Sequence, residues 1–180
     1  MLALTKSLAV MGIDAYVVDI EADASNHLPT FTIVGLPDGA VRESRERVMS
    51  AIKNSGFIFP PRKMTINLAP ADIKKEGSSF DLPIAIGILI STDQFIRDNN
   101  QQLAILGELS LDGDVRKVQG VLSMAIAASQ NKFDGIIVPE ANVREAAVVK
   151  NLLVYPVKTI NQVVGHLTGV KKIQAFKLDI

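Results

Sequence analysis

Residues 64–91, MTINLAPADIKKEGSSFDLPIAIGILIS, decide the fold. Met64–Leu68 reads as a strand, Ala69–Phe80 as a polar loop, and Leu82–Ile90 as a helix apolar on every side. Ser79 stands just ahead of that helix, where the positive end of the helix dipole and free backbone N–H groups favour a nucleophile. A serine also needs a base within hydrogen-bond reach, and no residue later in the chain stands out as one. The stretch therefore reads as an active-site scaffold whose chemistry is missing, in a domain that binds and assembles.

Upstream, three strands are predicted at Leu4–Val10, Ala15–Ala22 and Thr30–Val34, broken by Gly12 and the Asn26–Pro29 cluster. A helix follows at Ala40–Asn54. Asp38 is its candidate N-cap, and Asn54, Ser55 and Gly56 form its stop. Ala40, Val41, Ser44, Val48, Ala51 and Ile52 share its apolar face. Arg42–Glu46 and Glu43–Arg47, at i,i+4 spacing, suggest a solvent face laced by ion pairs. Phe57–Pro61 enters the next strand through two prolines.

Downstream, Leu103–Leu111 and Val115–Val118 flank Asp112-Gly113, a two-residue hairpin signal. Helices are predicted at Val121–Ser129, Ala141–Val149 and Ile160–Leu167, alternating with strands at Gly135–Val138 and Leu152–Val157. A strand meander at the front and strand–helix alternation at the back predict one α/β domain with a mixed sheet. Residues 170–180, VKKIQAFKLDI, show no partner element and read as a linker.

The composition narrows the function. The 180 residues include no cysteine, which excludes disulfides, thiolate catalysis and cysteine-ligated metal centres. Nineteen basic and nineteen acidic residues cancel, which argues against non-specific nucleic-acid binding by the whole body. The charge is unevenly placed, however. Residues 7–41 hold five acids and no Lys or Arg, whereas residues 42–76 hold eight bases against four acids. That asymmetry suits head-to-side packing of identical subunits, or describes two solvated surfaces. No secretory signal or membrane-length apolar run is seen, so a cytoplasmic location is expected. Neither a GxxxxGK[ST] loop nor a strand-borne GxGxxG is present, and His27 and His166 belong to no spaced ligand set. Aromatic residues do not interleave with the basic ones, so no stacking platform for single strands is evident.

Four segments, GLPDGAVRESRERV (35–48), INLAPADIKKEGSSFDLPIAIGIL (66–89), LGELSLDGDVRKVQGVLSMAIAA (106–128) and GIIVPEANVREAA (135–147), together resemble the amino-terminal domain of the magnesium-chelatase-like AAA+ family, which includes ComM-type competence proteins. The resemblance implies a Lon-like domain over residues 1–168, with 169–180 leading toward a downstream ATPase module. More distantly, the same segments resemble the proteolytic domain of Lon proteases, which implies a Lon-protease-like, ribosomal-S5-domain-2-like fold. In Lon, a serine in the loop before the helix is activated by a lysine in the helix after the hairpin. The match puts the serine at Ser79 and the lysine at Met124, or at Leu122 if the register slips, so a broken dyad is implied. Ser79 is read as a helix cap ahead of a nucleophile, and Asp81 is an alternative cap.

Family membership further implies ring-shaped oligomers of identical subunits, ATP and magnesium bound only by the downstream module, and a DNA branch-migration role in natural transformation. No cofactor, metal or membrane partner is expected for this chain. If DNA is touched, Arg62 and Lys63 before the strand and Lys74 and Lys75 in the loop are the candidates, through phosphates. Two alternatives remain open. One is a residual serine hydrolase at Ser79 using Lys75 or Lys117. The other is a stand-alone partner-binding module whose groove is formed by loop 69–80.

Overall fold

A computed structural model describes residues 1–179. Its first two strands, β1 (Leu2–Met11) and β2 (Asp14–Ser25), form a hairpin turned by Gly12 and Ile13. β3 (Thr30–Val34), α1 (Gly39–Asn54) and β4 (Lys63–Ala69) follow as a parallel crossover unit. β4 inserts between β2 and β3, so the front of the chain is not the expected meander. The cause is α1: parallel neighbours need a crossover, and the crossover helix buries its apolar side on the sheet.

Then come α2 (Asp81–Ser91), β5 (Leu103–Ile105), β6 (Glu108–Leu109), β7 (Val115–Arg116), α3 (Val121–Gln130), β8 (Gly135–Pro139), α4 (Val143–Ala147), β9 (Leu153–Val157) and α5 (Ile160–Thr168). Seven strands form one sheet in the order β3-β4-β2-β1-β5-β8-β9. β2 alone runs against its neighbours; every other pairing in the sheet is parallel. This is the mixed α/β architecture of the Lon-like type that the sequence predicts.

Alternation along the strands divides the core between two faces. Ile137 of β8 packs with α1, α2 and α5, whereas its neighbours Ile136 and Val138 pack with α3 and α4. Over β1, β2 and β4 part of the second face is open to solvent. There Lys6 donates to Asp19 at 2.9 Å and Asn67 donates to Glu21 at 2.8 Å, each pair directly opposed in register. α2 is buried from Asp81 through Leu89 and lies against β1 and β2, where a Cβ at Gly87 would stand 3.2 Å from that of Ala22.

Asp81 opens this apolar helix with its side chain fully buried. Its carboxylate accepts from Arg47 Nε at 2.6 Å and from the Arg47 terminal nitrogen at 3.1 Å. It also accepts from the Ser44 hydroxyl at 2.5 Å and from the Leu109 N–H at 3.0 Å. Burial pushes this carboxyl up, against the downward pull of Arg47, Ser44 and Leu109. One carboxylate thus ties α1, α2 and β6 together. Arg47, expected on a solvent face, turns inward for this purpose. Its i,i+4 partner Glu43 lies 3.9 Å away, while Arg42 and Glu46 make no ion pair among the described residues.

Three further expectations change. The predicted strand Leu103–Leu111 divides into β5 and β6, because Gly107 bends to donate its N–H to Ser79 O at 3.0 Å. A side chain there would clash, its Cβ lying 2.7 Å from Val115 Cγ1. The β6–β7 hairpin closes through three residues, Leu111–Gly113, since Ser110 N–H still bonds Asp114 O at 2.9 Å and Gly113 sits at φ +92°. The predicted helix Ala141–Val149 becomes a 3₁₀ turn (Glu140–Asn142) followed by α4. The reason is Asn142, whose amide accepts from Val118 N–H at 3.0 Å and donates to Val118 O at 2.8 Å.

Residues 170–176 carry no helix or strand and lie along the body. Phe176 N–H bonds Val154 O at 2.8 Å, and Ile173 N–H bonds His166 Nδ1 at 2.9 Å. Burial, with Lys172 adding to it, holds the His166 imidazole below its ordinary value. The ring is therefore kept neutral in the fold, so its stabilisation is whole above about pH 6.5 and is lost as pH falls below that toward the folded value. Amide exchange at Ile173, corrected for intrinsic rates, is expected to accelerate between pH 7 and pH 5, and to be fast at both in His166→Phe. Equal protection at both pH values in the native chain contradicts the anchor. For the carboxylate clamp, Arg47→Ala is expected to cost about 3–5 kcal/mol in urea unfolding, against within about 0.5 kcal/mol for the exposed Glu46→Ala. Equal losses would contradict the clamp.

Candidate functional site

The loop bearing Ser79 is positioned from the front of α1. Gly35 must be glycine: it has φ +104°, and a Cβ there would fall 2.1 Å from Leu68 O. The turn that follows holds the loop by two backbone bonds of 2.9 Å, Lys75 N–H to Leu36 O and Asp38 N–H to Lys75 O. Asp38 caps α1 as expected, accepting from Val41 N–H at 2.7 Å, and its second oxygen accepts from Gly77 N–H at 3.3 Å. One side chain therefore starts the helix and fixes the loop.

At the far end of the loop, Ser78 O takes the N–H of Asp81 at 3.2 Å, and Gly107 O takes that of Leu82 at 3.0 Å. Phe80 is the N-cap residue of α2, with no side-chain cap bond. Neither Ser79 nor Asp81 caps the helix, contrary to the sequence reading, because loop carbonyls already satisfy those donors. The same bonds occupy the N–H groups that a nucleophile at Ser79 would otherwise exploit. Among the described residues, the Ser79 hydroxyl makes no hydrogen bond. Its neighbour Ser78 donates to Glu108 Oε2 at 2.5 Å.

Ser78, Ser79 and Glu108 form one wall of a cleft of about 740 Å³. The opposite wall is Lys117–Gly120 and Met124 of α3. Met124 is 1% exposed and lines the same cleft as Ser79, whereas Leu122 is 42% exposed and does not line it. Lys117 is exposed and lines the cleft; Lys75 does not. Lys75 is fully buried beneath its own loop, where its ammonium donates to Pro70 O. Burial pushes that ammonium down, with Asp72 opposing.

The basic candidates do not converge. Arg62 and Lys63 stand at the start of β4, while Lys74 and Lys75 lie beyond its other end, about 20 Å away along the strand. Lys74 is exposed and 3.9 Å from Glu76, while Lys75 faces inward and presents no charge to a phosphate in this conformation. With Arg47 also turned inward, the expected basic face is not a continuous surface.

Sequence reasoning missed Arg47, Glu108 and Asn142. A single acid inside the apolar run Leu103–Leu111 was the available signal for Glu108. For Arg47, the i,i+4 partner Glu43 was in view, and nothing local pointed to Asp81, 34 residues on. Among the described residues, no cluster of His, Asp or Glu could hold a metal ion, and no helix is long and apolar enough to cross a membrane.

Comparison with known proteins agrees with this construction. The family model described as subunit ChlI of Mg-chelatase matches residues 20–142. Competence protein ComM of Haemophilus influenzae is 43% identical over 172 residues, covering 96% of this chain and 34% of that protein. YifB of Salmonella typhimurium is 44% identical over 151 residues, covering 82% of this chain and 29% of that protein. Lon protease of Aster yellows witches'-broom phytoplasma is 29% identical over 140 residues, covering 71% of this chain and 17% of that protease. The chain spans about a third of the length of its ComM and YifB relatives. It belongs to the Mg-chelatase ChlI-like family, within which it is similar to ComM and YifB.

Proposed function

We propose that this chain is the non-hydrolytic front domain of a larger ChlI-like AAA+ ATPase. One observation supports the reading: the cleft lined by Ser79 is also lined by the buried Met124 of α3, whose thioether accepts no proton at any ordinary pH. The rest of the protein, absent from this chain, supplies ATP and magnesium binding, and the domain assembles with identical copies in a ring. One relative's name, competence protein ComM, supports a role in competence, which on this reading is DNA branch migration during natural transformation. Exposed Lys74 and Lys63 and half-buried Arg62 are then the phosphate contacts, and Lys75 joins them only if its loop opens.

Two measurements on the full-length protein test this. Ser79→Ala is expected to leave ATP hydrolysis and branch migration within about twofold of the native rates, and a loss of either contradicts a passive serine. Lys74→Glu is expected to weaken DNA binding and to flatten its salt dependence; unchanged binding removes DNA contact from this loop.

Lys117 favours a second reading, a residual serine hydrolase, because it reaches the same cleft. Hydrolysis of a fluorogenic peptide pool, abolished by Ser79→Ala and by Lys117→Ala alike, would establish it. No hydrolysis above the double variant leaves the first reading.

A further inference from the structure

The cleft is a gap in the sheet. β1 pairs with β2 along its whole length to Met11, yet β5, its other neighbour, pairs with it only at Lys6. β5 then ends at Ile105, and the chain turns away through Gly107, whose N–H is spent on Ser79 O. From Leu8 to Met11 the β5-facing edge of β1 has no strand partner among the described residues, and since Leu8 is fully buried the edge opens to the cleft only from Ala9 onward. Ala9, Val10 and Gly12 open into the cleft there, with Val10 45% exposed.

The two walls lie on opposite sides of the sheet. Loop 76–79 leads into α2 on one face, and Met124 belongs to α3 on the other. A strand laid along β1 alternates its side chains between those faces. One set meets Val118 and Met124; the other meets Ser78, Glu76 and Glu108. The cleft is lined by three carboxylates, Asp38, Glu76 and Glu108, against the single ammonium of Lys117. Such a charge repels phosphate and attracts cations.

We propose that the cleft binds an extended polypeptide segment of alternating apolar and basic residues, added as a strand to the free edge of β1. Backbone hydrogen bonds to the β1 edge hold the segment, and the two walls select its side chains. The inference rests on the cleft being non-hydrolytic, since a bound peptide must stay whole.

The probe is a fluorescein-labelled hexapeptide of alternating valine and lysine, read by fluorescence anisotropy against the 180-residue chain. Binding is expected, with affinity falling at least about tenfold for the valine–glutamate counterpart and for a probe N-methylated at alternate residues, which lacks edge donors. The exposed Glu76→Lys should lose about tenfold, whereas Glu140→Lys, outside the cleft, should lose nothing. Hydrogen exchange at the Val10 amide should slow when the probe binds. Equal binding of the N-methylated probe, or unchanged exchange at Val10, would overturn strand addition. Mass spectrometry of the probe after incubation separates the two readings: a bound but cleaved probe refutes the non-hydrolytic cleft and leaves the peptide site standing.

Discussion

The carboxylate of Asp81 is the point on which this architecture turns. It sits at the first residue of a helix that is otherwise apolar on all sides, in a place no water reaches. A charge so placed is tolerated only when its acceptor positions are filled. Arg47, Ser44 and the Leu109 N–H fill them, and each comes from a different stretch of the chain than Asp81 itself. Satisfying one buried charge therefore fixes the approach of α1 to α2 and the place where β6 leaves the sheet. The serine loop, strung between α1 and α2, inherits its position from that clamp and from Asp38.

The cleft follows from the same geometry. Because Leu109 must reach Asp81, the chain after β5 cannot continue beside β1, and Gly107 makes the bend. A gap opens where a longer strand would have lain. The serine loop borders it on one face of the sheet and α3 on the other. Ser78 and Ser79 line that gap together with Met124 of α3.

Much of this was legible in the sequence because it is local. The period of α1, its Asp38 cap, the extent of β3 and the uniformly apolar α2 all follow from spacing between near neighbours. What was not legible depends on partners far along the chain. Arg47 carried an acceptable i,i+4 partner in Glu43 and gave no sign of preferring Asp81, 34 residues on. Lys75 read as an exposed loop lysine, although its backbone is clasped between Leu36 and Asp38 and its side chain tucks under. The place of β4 between β2 and β3 is a choice of neighbours, which alternation along a strand does not encode.

The central claim is the proposal that Ser79 is inert for want of a base at the position of Met124. Met124→Lys is the direct measurement: a lysine in that buried position has its pKa lowered by desolvation and can take the serine proton. With a serine-reactive fluorophosphonate followed by peptide mapping, the account predicts modification of Ser79 in Met124→Lys and none in the native chain. Modification of Ser79 in the native chain at the rate seen in the variant would contradict it.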